Sequence, residues 1–184
     1  MHSALNREHP ADPFKPYGAT VGHGFEWSRL LVQPSVMLDR VGSAPAWLLA
    51  TAVLLFDRAT EDGWHRFGRP GFVYTTDWTG TPVVAETMHW VAAEAVCAAS
   101  VLARVTGGLG YARLESEWWS FINQRLRDTE YGSWHHGIDT QGRVSETVWV
   151  GKPDSYHAVQ ATLIPRLPIS GGIARAARLG GWRR

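Results

Sequence analysis

The sequence predicts an all-α fold in which helices pair and the connections between them carry the chemistry, and three observations predict it. Apolar residues recur at near-helical spacing over 22–38, and further helices are expected over 83–105 and 111–127. The intervening connections are long and crowded with aromatic and charged side chains, which a plain bundle does not need; an α/α toroid builds a cup-shaped site from such connections on one face. Ten tryptophans and eight histidines are spread along 184 residues. That is enough flat apolar surface to fill a helical core and also to stack on a ligand ring, and composition does not choose between the two uses.

Residues 1–16, with His9, Pro10, Pro13 and Pro16, read as an irregular opening segment. Phe25, Trp27, Leu30, Leu31 and Val32 then mark a helix over 22–38, which Pro34 should kink or break. A second apolar helix is expected over 45–60, with Ser43 as its cap and Pro45 in its first turn. Residues 63–78 are turn-rich, with a short strand over 72–76. The long helix 83–105 should close at Thr106-Gly107-Gly108, and the next runs over 111–127. Alternating residues around Gln141-Gly142 predict a small β-hairpin within 132–150. Pro153 opens a helix over 154–165, and 173–179 forms a last one. No repeat and no linker divides the chain, so 1–184 reads as a single domain.

The hydrophobic content of 45% is that of a globular protein, and 18 Lys and Arg against 17 Asp and Glu leave a formal charge of +1. Neither nucleic acid nor an acidic membrane surface is favoured, and the expected partner is small and nearly neutral. One cysteine, Cys97, supports neither an intramolecular disulfide nor a cysteine-rich metal cage, and it lies in an apolar helical stretch. A buried thiol in a reducing cytoplasm is the expectation. The longest apolar stretches, such as 44–56, are too short to span a bilayer.

Three clusters combine ionisable groups with aromatics: Tyr17 to Trp27 with His23 and Glu26, Met88-His89-Trp90 with Glu94, and Trp149 to His157 with Lys152, Asp154 and Tyr156. His23 and Glu26 are three apart, so on a helix they share a face and Glu26 can hold the imidazole. Trp90 and Glu94, four apart, offer a stacking surface beside a hydroxyl acceptor. Each has a plainer reading: a structural histidine, a surface pair of Glu26 with Arg29, a core Trp90. His-x-x-Glu also resembles half of a metal site, but companion ligands at recognisable spacing are absent and His135-His136 stands alone in the hairpin. The sequence holds no phosphate-cradling glycine loop, no nucleophile elbow and no basic aromatic stripe.

Four segments together, Pro13-Phe-Lys-Pro-Tyr-Gly-Ala-Thr-Val-Gly-His-Gly-Phe-Glu-Trp, His89-Trp-Val-Ala-Ala-Glu-Ala, Gly132-Ser-Trp-His-His and Gly151-Lys-Pro-Asp-Ser-Tyr-His-Ala-Val-Gln-Ala-Thr, resemble the N-acylglucosamine 2-epimerase superfamily, most of all its mannose isomerase and sulfoquinovose isomerase branch. The resemblance implies an (α/α)6 barrel of which this chain is the carboxy-terminal half, a missing amino-terminal half or self-association, a free monosaccharide as substrate, and no cofactor or metal. It implies proton exchange by His23 and His157 through a cis-enediol or enediolate. Glu26 and Glu94 match carboxylates that bind sugar hydroxyls or steady those histidines, and Trp90 and Trp149 match pocket aromatics. Lys15 stands where relatives often carry arginine at a carbonyl or hydroxyl contact, and lacks the bidentate fork. Aldose–ketose isomerisation is the favoured activity, with 2-epimerisation and a non-catalytic sugar-binding remnant as alternatives. An unrelated toroidal glycoside hydrolase would need a carboxylate pair that the sequence does not single out.

Overall fold

The computed structural model describes Glu8, Asp12, Lys15 and residues 17–180. His9, Pro10, Pro13 and Pro16 lie outside the described residues. Six α-helices dominate: α1 Val21–Asp39, α2 Ala46–Gly63, α3 His89–Thr106, α4 Leu109–Phe121, α5 Tyr156–Leu163 and α6 Ile173–Gly180. α3 is the central post. Its sequence is apolar on nearly every face, and every residue from Val91 to Leu102 is buried, the pattern of a helix surrounded by others. α1, α4 and α5 pack directly on it, and α1 also pairs with α2. The alanines at 92, 93, 95, 98 and 99 let neighbours approach α3 closely.

Where α1, α2 and α4 meet, the fully buried Trp118 ring lies 5.4 Å from Phe25, 5.6 Å from Phe56 and 5.2 Å from Phe72. The contacts to Phe25 and Phe72 are edge-on at 66°, the geometry that aromatic quadrupoles favour.

Short strands fix where the helices start. β1 (Ala19–Thr20) pairs antiparallel with β2 (Thr75–Thr76), which pairs with β3 (Pro82–Val84). β4 (Thr87–Met88) pairs antiparallel with β5 (Gly137–Ile138). β1 runs straight into α1 and β4 into α3, and two otherwise unsatisfied first-turn amides find loop carbonyls: Val21 N–H donates to Tyr74 O at 3.1 Å and His89 N–H to His136 O at 2.9 Å.

Several expectations change. The helix expected to open at 83 begins at His89, because β-branched Val83 and Val84 and then Thr87 are taken up in strand pairing. The expected hairpin keeps its turn, with Gly142 N–H donating to Asp139 O at 2.9 Å, but Ile138 meets Val144 only in an isolated bridge while β5 pairs with β4 instead. α1 continues through Pro34; the residue is exposed, and lacking an N–H it cannot donate to the Leu30 carbonyl one turn back. Ser43 does not cap α2: its hydroxyl donates to Val41 O, and Pro45 precedes the helix as its boundary residue. The element expected over 111–127 divides into α4 and a π turn, Ile122–Leu126. α3 closes as expected at Gly107, whose φ of 70° glycine adopts without strain and whose N–H reaches Ala103 O at 2.9 Å.

Candidate active site

α1, α3 and α5 bring their amino ends to one cavity of about 490 Å3, lined by His23, Glu26, Tyr74, His89, Trp90, His136, Trp149, Pro153, Asp154 and His157. His23 is the third residue of α1, His89 and Trp90 open α3, and His157 is the second residue of α5. The positive ends of three helix dipoles therefore point at one volume, an arrangement that favours negative charge developing in it.

Trp90 is the divider. Its ring lies 5.2 Å from the His23 ring and 5.9 Å from the His157 ring, and Tyr74 meets it edge-on at 5.9 Å. The indole sits where it does because residue 22 is glycine: a Cβ there would fall 2.3 Å from Trp90 Cζ3 and 2.5 Å from Cη2. Gly22→Ala is accordingly expected to push the ring into the cavity, leave the helix itself intact, and weaken sugar binding about tenfold or more. Indole fluorescence and a sugar titration check this.

Glu26 Oε2 lies 3.9 Å from His23 Nε2, and both side chains are a little over one-third exposed at the rim. On the opposite wall Asp154 Oδ1 accepts the Tyr156 backbone N–H at 2.8 Å, fixing the start of α5. Lys152 ties this segment down through Asp128 and, at 2.9 Å, the Gly132 carbonyl. Its hydrogen bond holds the Asp128 carboxyl well below the usual carboxylate range. Trp149 stacks on His136, 6.0 Å apart and 17° from parallel.

Burial favours the neutral form of three of the cavity imidazoles. Burial lowers His157 below its ordinary value, with Asp154 and Glu26 opposing the shift and Arg29 reinforcing it. Burial also lowers His136, and it takes His89 from 6.5 to about 4. His89 Nδ1 lies 3.2 Å from His136 O, which assigns its proton to Nδ1. For His89 the unfolded chain takes up a proton before the folded one does, so stability falls as pH drops from 6.5 to about 4. Over that window the loss is expected to reach about 3 kcal/mol. His136 and His157 act in the same sense, while Glu94, whose carboxyl is raised by burial, opposes them. Urea unfolding at several pH values should show this slope, and His89→Gln should flatten it.

Of the residues expected from sequence, His23, Glu26, Trp90, Trp149 and His157 share this cavity. Glu94 and Lys15 are not among its lining residues. Glu94 is 1% exposed and lies one helical turn behind Trp90, with Arg29 Nε and Nη2 both 3.0 Å from its Oε2 and Gln160 Nε2 donating to its Oε1. Arg29 thus pairs with Glu94 and not with Glu26. Lys15 is exposed, its backbone N–H donating to Asp12 Oδ1 at 2.8 Å. His136 does not stand alone in a hairpin, since it packs against both Trp149 and His89. Tyr74 enters the wall from beside β2, and only its place in the expected strand 72–76 hinted at a defined position. Among the described residues, no group of three or more His, Cys, Asp or Glu is arranged to hold a metal ion.

A helical array with imidazoles, indoles and carboxylates gathered at convergent helix amino ends defines an α/α protein whose site suits a small polar ligand. The chain belongs to the N-acylglucosamine 2-epimerase (GlcNAc 2-epimerase) family, whose sequence profile matches residues 2–161. It is 45% identical over 172 residues to a D-mannose isomerase of Pseudomonas cannabina pv. alisalensis and 46% identical over 172 residues to one of Thermobifida fusca. Each match covers 93% of this chain and 42% of the relative, so the chain spans less than half the length of these proteins. A crystal structure of a D-mannose isomerase superposes with a TM-score of 0.77 at 26% identity, covering 90% of this chain and 41% of that one. The fold is shared more widely: a cellobiose 2-epimerase from Bacillus thermoamylovorans matches with a TM-score of 0.67 at 13% identity, over 88% of this chain and 40% of that one.

Proposed function

We propose that this chain carries the proton-transfer part of a sugar isomerase site, converting a free aldose to its ketose in the manner of mannose and fructose. The observation that carries the reading is the placement of His23 and His157 around Trp90 in one cavity at three helix amino ends. The C–H-rich face of a sugar ring packs on the indole. One neutral imidazole removes the proton beside the carbonyl, the helix ends favour the resulting cis-enediolate, and the proton returns to the neighbouring carbon. Glu26 takes a sugar hydroxyl or steadies His23, Trp149 supplies a second apolar wall, and Glu94 acts from behind the cavity. For Lys15 the role is a contact from the opening segment. Among the described residues no helix is long and apolar enough to cross a membrane. With the buried Cys97, the reading places the chain in a reducing cytoplasm.

The same reading requires a partner surface. Trp27, Trp47 and Leu54 on α1 and α2 are 56%, 59% and 68% exposed. A groove of about 300 Å3, lined in part by Trp27, Leu55 and Ala59, also has His23 in its wall. Large apolar side chains left exposed on two paired helices are the kind of surface a partner covers. The remaining length of the relatives, placed by this reading on the amino-terminal side, covers it, and chain 1–184 is then one partial domain of a larger barrel.

Product analysis tests the activity. With D-mannose, and with the unmatched portion of the Thermobifida fusca relative supplied as a separate polypeptide, fructose is the expected product. Glucose would instead assign 2-epimerisation. A folded, assembled protein that neither binds nor converts mannose, glucose or fructose would refute the reading.

A further inference from the structure

We propose that Arg29, Glu94 and Gln160 form a buried positioning clamp that sets the separation of the two proton-transfer histidines, an inference that rests on the reading of His23 and His157 given above. The three side chains are 5%, 1% and 3% exposed, and they join α1, α3 and α5 through one carboxylate. Arg29 Nε and Nη2 reach Glu94 Oε2 at 3.0 Å each, and the Gln160 amide donates to Oε1.

The spacing gives the arrangement its meaning. Arg29 lies three residues after Glu26 and six after His23 on α1, Glu94 four after Trp90 on α3, and Gln160 three after His157 on α5. Residues three or four apart share a helix face, so each clamp residue sits about one turn behind a cavity residue of its own helix. Fixing the three side chains to each other therefore fixes His23, Trp90 and His157 relative to one another. α5 has only eight residues, too few to hold its own register by backbone bonding.

Stability alone does not account for a buried charge here. A buried ion pair is stabilising only marginally, and apolar residues of the same size commonly do as well. What the carboxylate adds is direction: Oε2 is committed to α1 and Oε1 to α5, so neither helix can rotate or slide without losing a charge-assisted bond. Arg29 and Gln160 are positioning residues, since neither lines the cavity.

Gln160→Met tests the proposal, because it keeps the side-chain length while removing the tie to Glu94. The expected result is a folded protein in which nuclear Overhauser contacts between the Trp90 and His157 rings weaken while those between Trp90 and His23 persist. Hydrogen exchange at the sugar carbon should fall about tenfold to a hundredfold with KM changed less than about threefold. Gln160→Asn, whose amide is one methylene shorter, gives the same reading if the methionine variant does not fold. A folded variant that retains both ring contacts overturns the clamp, whatever its activity. If wild type assembled with the remaining portion transfers no proton at all, the functional reading fails, and the ring contacts still decide whether the clamp sets the geometry.

Discussion

His157→Ala is expected to lower the rate of proton exchange between mannose and solvent by about 10²- to 10⁴-fold, the usual worth of a positioned general acid–base group. The side chain is partly buried at the start of α5 and its depressed affinity for protons, caused first by burial, leaves it a neutral base near pH 7. His23→Ala should fall in the same range, and the double variant should lose little more than either single one if the two imidazoles act on one substrate in sequence. The variants should still bind sugar, because Trp90 and Trp149 remain. Burial holds His157 below its ordinary value, so the loss of exchange that its protonation causes should set in at lower pH than an unperturbed histidine would give.

Arg29→Met is expected to cost about 3–5 kcal/mol of stability, because it breaks a buried ion pair and leaves one partner charged. It would leave Glu94, buried at 1% exposure, with only the Gln160 amide for its charge. The carboxyl is already raised by burial, with Arg29 as the main opposing influence, so losing the arginine should raise it further. Much of the loss should then disappear in Arg29→Met/Glu94→Leu, where no charge remains to be desolvated. Urea unfolding of both variants measures the difference. Equal losses in the two would show that the arginine acts by packing rather than by charge.

Runs of apolar residues located α1, α2 and α3 because each buries one apolar face, or in α3 all of them, against neighbours, whereas Pro153 pointed to α5. The boundaries were less legible where strand pairing decided them. Val83 and Val84 fit an apolar helix pattern, yet β3 lies beside β2 through contacts that join residues far apart in helical register. The cavity was legible wherever an ionisable residue and an aromatic stood together at the start of a helix, as at His23 and Glu26, His89 and Trp90, and Trp149 to His157. Glu94 shows the limit of spacing arguments. It shares a face with Trp90, but a ligand at the helix amino end leaves residue i+4 about 6 Å deeper, where it meets Arg29 and Gln160 instead. Tyr74, next to β2, and His136, next to β5, reach the cavity because β2 pairs with β1 and β3, and β5 with β4. No local pattern encodes that. Pro34 is the converse case: it removes a helical donor, but it stands at an exposed position and α1 runs through it.

The most direct measurement is NMR of mannose and fructose in D2O with the assembled protein. Deuterium at C2 of mannose or C1 of fructose, accumulating with conversion and lost in both His23→Ala and His157→Ala, is the result expected of two histidines exchanging a proton through an enediolate. Conversion over many turnovers with no deuterium in either sugar, at a rate that both substitutions leave unchanged, would contradict the account.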